Sequence, residues 1–246
     1  MLTFKRGYEG RMRVLESVRR VALESEEALL GFERSPPKRV LERSRWMPDV
    51  ASAYCALCGA SNRRLQQHCS VCQDAPLQVE RVVRLGAYRS PLSDWICEVK
   101  FARWYGMGDV LGRMLGRAVL ARCFSAEFRP DLIVPVPMPM TRRLLRGIDH
   151  AGVLASGAAA ELGVPVARPL YQVSGHTQVS RTPSQRERRR NPFFPRRFKS
   201  ALRGRRVLLV DDVLTSGRTA RAMARAVRCL GASKVVLGVL AVTERT

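Results

Sequence analysis

Residues 207–220, VLLVDDVLTSGRTA, constrain this chain more than any other segment. Val207, Leu208, Leu209 and Val210 form a short apolar run of the kind that makes a buried strand. The run ends in two carboxylates, Asp211 and Asp212. A hydroxyl-rich turn follows, Thr215-Ser216-Gly217-Arg218-Thr219, and a helix is predicted over 220–230. A helix N-terminus leaves backbone N–H groups without intrahelical partners, and the helix dipole adds positive potential there. Such a place takes an anion. Gly217 lets the backbone approach that anion closely, and the hydroxyls of Thr215, Ser216 and Thr219 supply further donors. Ligands of open α/β sheets bind at the carboxyl ends of the strands. Asp211 and Asp212 therefore suit sugar hydroxyls, accepted directly or through Mg2+ and its waters. The plainer alternative is a helix with a Thr/Ser cap. The order of strand, two acids and turn favours phosphate.

The rest of the chain supplies an α/β framework. Strands are predicted at 82–88, 131–137 and 234–242, and helices at 91–104, 110–123 and 151–162. Strands that alternate with helices imply a mostly parallel sheet with helices on both faces. Residues 172–199 show no period and read as a long loop. The spacing of Met12, Leu15, Val18 and Ala22 predicts an amphipathic helix over 9–31, within a basic extension covering 1–50. The expected organisation is this extension, a cysteine module at 51–78 and an α/β domain at 79–246.

Cys55-x-x-Cys58 and Cys69-x-x-Cys72 give that module its chemistry. Each pair forms a knuckle that places two thiolates on one ion, and two knuckles complete the tetrahedron of structural Zn2+. Four protein ligands leave no open position, so the expected zinc is structural. Gly59 suits the turn of a knuckle, and His68 is an alternative ligand beside Cys69. Cys97, Cys123 and Cys229 fall on apolar helical faces and read as core.

The 207–220 segment resembles the PRPP (phosphoribosyl pyrophosphate) loop of type I phosphoribosyltransferases. The resemblance implies that Asp211 and Asp212 contact ribose, and that Leu214, Thr215, Ser216, Gly217, Arg218 and Thr219 contact the 5′-phosphate. Upstream lie the four cysteines, Lys100, DLIVPVP at 131–137, Arg146-Gly147, Thr177-Gln178, Arg186 and Asn191. This order is similar to the ComF family of competence-associated, phosphoribosyltransferase-like proteins across about residues 54–244. The implied fold is a type I phosphoribosyltransferase-like sheet preceded by a small zinc-ribbon-like module. One departure stands out. The family carries Arg-Gly-Phe-Asn-Gln where this chain has Arg146-Gly147-Ile148-Asp149-His150. For His150, a ligand role stands against a surface or helix-start position. The resemblance also implies a pyrophosphate loop carrying Arg142, Arg143 and Arg146, and a lysine at 100 that reaches the phosphates or lies on the surface.

Charge bears on partners. Lys and Arg number 43 against 21 Asp and Glu, a formal net charge of +22. Such a chain suits a polyanion, with a solvated Arg-rich surface as the alternative. Residues 181–206 combine basic side chains with Phe193, Phe194 and Phe198, a pattern that suits nucleobases or single-stranded DNA. The first residues lack the apolar core of a secretory signal, and the longest apolar run, 235–242, is too short to cross a bilayer. Paired cysteines without a signal point to the cytoplasm. Two functions stay open: a phosphoribosyltransferase using Mg2+ and PRPP in DNA uptake or nucleotide salvage, and a non-catalytic adaptor binding single-stranded DNA and competence proteins.

Overall fold

A computed structural model describes residues 37–44, 46, 48, 54–61, 72, 76–123, 128–172, 193–195 and 202–244. The chain divides into two compact units, Met1–Val40 and Leu41–Thr246. Helix α1, Pro37–Ser44, spans the division. The helix predicted over 9–31 lies outside the described residues.

The second unit is built on four parallel strands: β1 (Arg81–Ala87), β2 (Leu132–Pro135), β5 (Arg206–Leu214) and β6 (Lys234–Val242), in the order β1-β6-β5-β2. A parallel strand covered on both faces reads as a continuous apolar run, and β6 (KVVLGVLAV) is buried from Val235 to its end. Helices α2 (Leu92–Phe101), α3 (Tyr105–Cys123) and α5 (His150–Leu162) cover one face. Helix α6 (Arg218–Cys229) covers the other, where Met223 and Val227 pack with Val207, Leu209, Leu237 and Val239.

Helices α3 and α5 cross at very short range because glycine lines the contact. A Cβ on Gly112 would strike the backbone carbonyl of Leu154, and one on Gly157 would strike that of Asp109. Gly108 and Gly116 meet Val153 and Ala158 in the same way. Helix α3 therefore begins at Tyr105, ahead of the predicted start at 110, and its glycines are packing positions. Helix α2 stops at Phe101, short of the predicted 104, because Arg103 takes a left-handed backbone at φ 54°.

Two further segments differ from expectation. The turn predicted after β2 contains helix α4, Met140–Arg146, closed by Gly147 at φ 67°. Within the stretch read as loop, β4 (Phe193–Pro195) pairs antiparallel with β3 (Leu170–Gln172) at the edge of that stretch. Tyr171 and Phe194 stack across that pair, 5.9 Å between ring centroids. Cys123 is buried as expected and Cys97 is half-buried, whereas Cys229, in the last turn of α6, is exposed.

Candidate functional site

Strand β5 carries the chain to the carboxyl edge of the sheet, and the turn at 215–217 delivers it to α6. Gly217 has φ 72°, a left-handed backbone that glycine adopts freely. Gly217 is itself the N-cap of α6 and carries no side chain to cap the first turn. Thr243 anchors the base of the turn, its backbone N–H and hydroxyl both donating to the Leu214 carbonyl at 3.0 and 3.3 Å. A cavity of about 310 Å³, open to solvent, is lined by Asp211, Leu214, Thr215, Ser216, Gly217, Arg218 and Thr219, with the sheet residues Leu237 and Val239 behind them. The structure thus gathers Asp211 and the whole 214–219 turn around one space.

Asp212 is elsewhere. The strand predicted at 207–210 runs on to Leu214, held by pairing with β6 through Leu214 and Val242. Side chains alternate along a strand, so the two acids lie on opposite faces of the sheet. Asp211 faces the α6 side and its cavity. Asp212, 8% exposed, faces α2 and α5. There Lys100 Nζ lies 3.2 Å and His150 Nε2 2.8 Å from Asp212 Oδ2.

These surroundings separate the acids electrostatically. Removal from water, and then the charge of Asp212, push the Asp211 carboxyl up to about 8. Burial acts on Asp212 in the same direction, but His150 and Lys100 outweigh it and hold that carboxyl below its ordinary value. His150 is the first residue of α5 and is 6% exposed. It is a helix-start residue, not a surface one, and its Nδ1 is buried without a hydrogen-bond partner among the described residues. Asp149 caps the helix, accepting from Gly152 N at 3.1 Å and pairing with Arg168 at 2.9 Å. Asp149 thus makes the cap that an asparagine can also make. Lys100 belongs to the Asp212 network rather than to the phosphate cavity.

Arg142 and Arg143 do not line that cavity. Arg142 and Arg143 are exposed on α4, and the Arg146 side chain lies outside the described residues. Arg143 lines a second open cavity of about 620 Å³, with Pro135 to Met138, Asp149, Arg168 and Tyr171. Of the aromatic residues in the basic 181–206 stretch, Phe193 is buried and Phe194 half-buried. Thr177, Gln178, Arg186, Asn191 and Phe198 lie outside the described residues.

The cysteine module closes on itself. The sulfurs of Cys55, Cys58 and Cys72 all lie within 4.8 Å of one another, with Cys55 and Cys72 3.5 Å apart. Zn–S bonds of about 2.3 Å make a tetrahedron with edges of about 3.8 Å, so the three thiols fit zinc. Gly59, at φ 71°, makes the knuckle turn by donating its N–H to the Cys55 carbonyl at 2.7 Å. Cys69 and His68 lie outside the described residues.

Comparison with known proteins meets this geometry. The chain is 31% identical over 186 residues to competence protein F of Haemophilus influenzae, covering 74% of this chain and 81% of that protein. The chain belongs to the competence protein F (ComF) family. It is 30% identical over 190 residues to the DNA utilization protein YhgH of Escherichia coli, covering 74% of this chain and 80% of that one. Residues 140–245 match the phosphoribosyl transferase domain, from α4 through the phosphate turn to the end of β6. Among solved structures, a purine phosphoribosyltransferase from Pyrococcus horikoshii shares 20% identity at a TM-score of 0.35, over 55% of this chain and 71% of that one. The phosphoribosyl transferase domain match and the four parallel strands together give this ComF chain a type I phosphoribosyltransferase-like sheet, and its cysteine cluster is compatible with a zinc module.

Proposed function

We propose that this ComF protein binds the ribose 5-phosphate part of PRPP at the turn after β5, with Mg2+, and serves DNA uptake in the cytoplasm. The carrying observation is the shared cavity, in which Asp211 and residues 214–219 surround one space. Leu214 to Thr219 hold the 5′-phosphate through turn N–H groups and hydroxyls, and Asp211 accepts from the ribose hydroxyls. Mg2+ enters with the diphosphate and neutralises its charge. Asp212 is a positioning residue here: with Lys100 and His150 it fixes the end of β5. Zn2+ is structural, held by Cys55, Cys58, Cys69 and Cys72.

In the transferase form of this reading, the bond from ribose C1 to pyrophosphate breaks and a bond from C1 to a nitrogen nucleophile forms, with nucleotide salvage as one use. Arg142, Arg143 and Arg146 then stabilise the departing pyrophosphate electrostatically.

A second reading has its own observation. Arg142 and Arg143 are exposed, and Tyr171, 42% exposed, stands across the second cavity. A cation and an aromatic ring around one groove suit single-stranded DNA and an adaptor role among competence proteins.

One titration separates the two readings. Wild type and Asp211→Asn are titrated calorimetrically with Mg-PRPP and with single-stranded DNA at two salt concentrations. PRPP binding that the variant loses supports the first reading, and no PRPP binding to wild type refutes it. DNA binding that weakens steeply with salt and ignores the variant supports the second.

A further inference from the structure

Residues 76–80 connect the cysteine module to β1, and they do so across the phosphate turn. Arg221 of α6 donates from Nε to the Pro76 carbonyl at 3.0 Å. Arg228, two turns further on, donates to the Gln78 carbonyl at 3.3 Å and pairs with Glu80 at 2.6 Å. Glu80 in turn accepts from Val235 N at 2.6 Å, the start of β6. Gln78 takes a left-handed backbone, φ 61°, to make these contacts. The basic face of α6 is thus more than a solvated stripe, because two of its arginines clamp a strap.

Leu77 lies between those clamps and is 6% exposed. Its side chain rests directly on Gly217, where an added Cβ would collide with the Leu77 methyl. Leu77 is therefore packed against the backbone that forms the phosphate turn. Five positions before Leu77 in sequence lies Cys72, which is 4% exposed and converges with Cys55 and Cys58. That cluster is itself tied to the sheet, since Val82 of β1 donates its N–H to the Ala56 carbonyl at 2.7 Å. A metal joining Cys72 to Cys55 and Cys58 fixes one end of a five-residue tether whose other end is Leu77. So short a tether spans at most about 18 Å, which limits how far Leu77 moves once Cys72 is fixed.

We propose that Leu77 is a positioning residue of the phosphate turn, and that through it metal binding at the cysteine cluster and anion binding at the turn are coupled. The proposal rests on the reading of the turn as a phosphate site. Coupling of this kind is reciprocal: the factor by which metal tightens the anion is the factor by which the anion tightens the metal.

The test reads zinc rather than turnover. Zinc transfer from the full-length, zinc-loaded protein to a chromogenic chelator is followed at increasing Mg-PRPP, and separately at increasing inorganic phosphate. The expected result is zinc affinity raised by a factor of about 5 or more at saturating ligand. Leu77→Ala should bind zinc and lose this dependence, while Leu77→Met, of similar volume, should keep it. If Leu77→Ala does not fold, Arg221→Gln, which releases the Pro76 carbonyl, should weaken the dependence instead. Zinc affinity that ignores a bound ligand in wild type overturns the coupling alone. Failure of both Mg-PRPP and phosphate to bind overturns the phosphate reading and the coupling with it. A dependence that survives both Leu77→Ala and Arg221→Gln removes Leu77 from the mechanism.

Discussion

The contact between Leu77 and Gly217 makes Gly217→Ala a demanding test of the phosphate turn. The substitution imposes two separate costs. A residue with a Cβ in the left-handed region costs about 1–2 kcal/mol. The new methyl also strikes the Leu77 side chain, and displacing a packed core side chain costs about 1–3 kcal/mol. Together these amount to roughly 2–5 kcal/mol, a lowering of Tm by about 4–20 °C for a unit of this size. The two terms separate in a double-mutant cycle. Leu77→Ala alone should cost about 2–5 kcal/mol through lost packing. Adding Gly217→Ala in that background should cost only the backbone term, because the colliding methyl has gone. Urea unfolding of the four proteins gives the coupling, expected at about 1–3 kcal/mol and well outside ordinary additivity error. Additive costs, within about 0.5 kcal/mol, would refute the contact and the strap built on it.

Three further outcomes follow from the geometry. Lys100→Met removes one of the two side chains that hold buried Asp212 and should cost about 1–3 kcal/mol at pH 7; because the Asp212 carboxyl is held low, that loss should fade in acid as the carboxyl protonates, and a cost independent of pH would count against the pair. Asp211 titrates near 8 in the folded protein against an ordinary 3.8, so the folded state keeps a proton across that window and its stability should fall as pH rises from about 4 to about 8; Asp211→Asn should flatten the slope in thermal melts, and an unchanged slope would exclude Asp211 as its source. Gly112→Ala sets a Cβ against the Leu154 carbonyl and should destabilise by about 1–3 kcal/mol, read by chemical unfolding, with a neutral result contradicting the close helix crossing.

The apolar runs of β2, β5 and β6 were legible because strands buried on both faces need no alternation. The strand, turn and helix start over 207–220 were legible for another reason: apolar run, acids, hydroxyls and helix start follow one another in a few residues. The convergence of Cys55, Cys58 and Cys72 was legible from spacing alone. Asp212 was not legible. Its face depends on how far β5 runs, and that is set by pairing with β6 as far as Val242. Its partners Lys100 and His150 come from two helices distant in sequence, which no local pattern connects. His150 differs from the family's usual glutamine, yet only the folded sheet shows it beside an acid. The packing role of the glycines of α3 shows only once α5 is laid against them. Strands β3 and β4 are three residues each, too short to show a period.

The central claim is that the turn after β5 holds a 5-phosphate, and backbone amide NMR during titration with ribose 5-phosphate tests it most directly. Shifts concentrated in Thr215 to Ala220 and Asp211, with Arg143, Arg168 and Tyr171 unmoved, are the result expected. Saturable shifts confined to those last three residues, with the 215–220 amides unmoved, would contradict it.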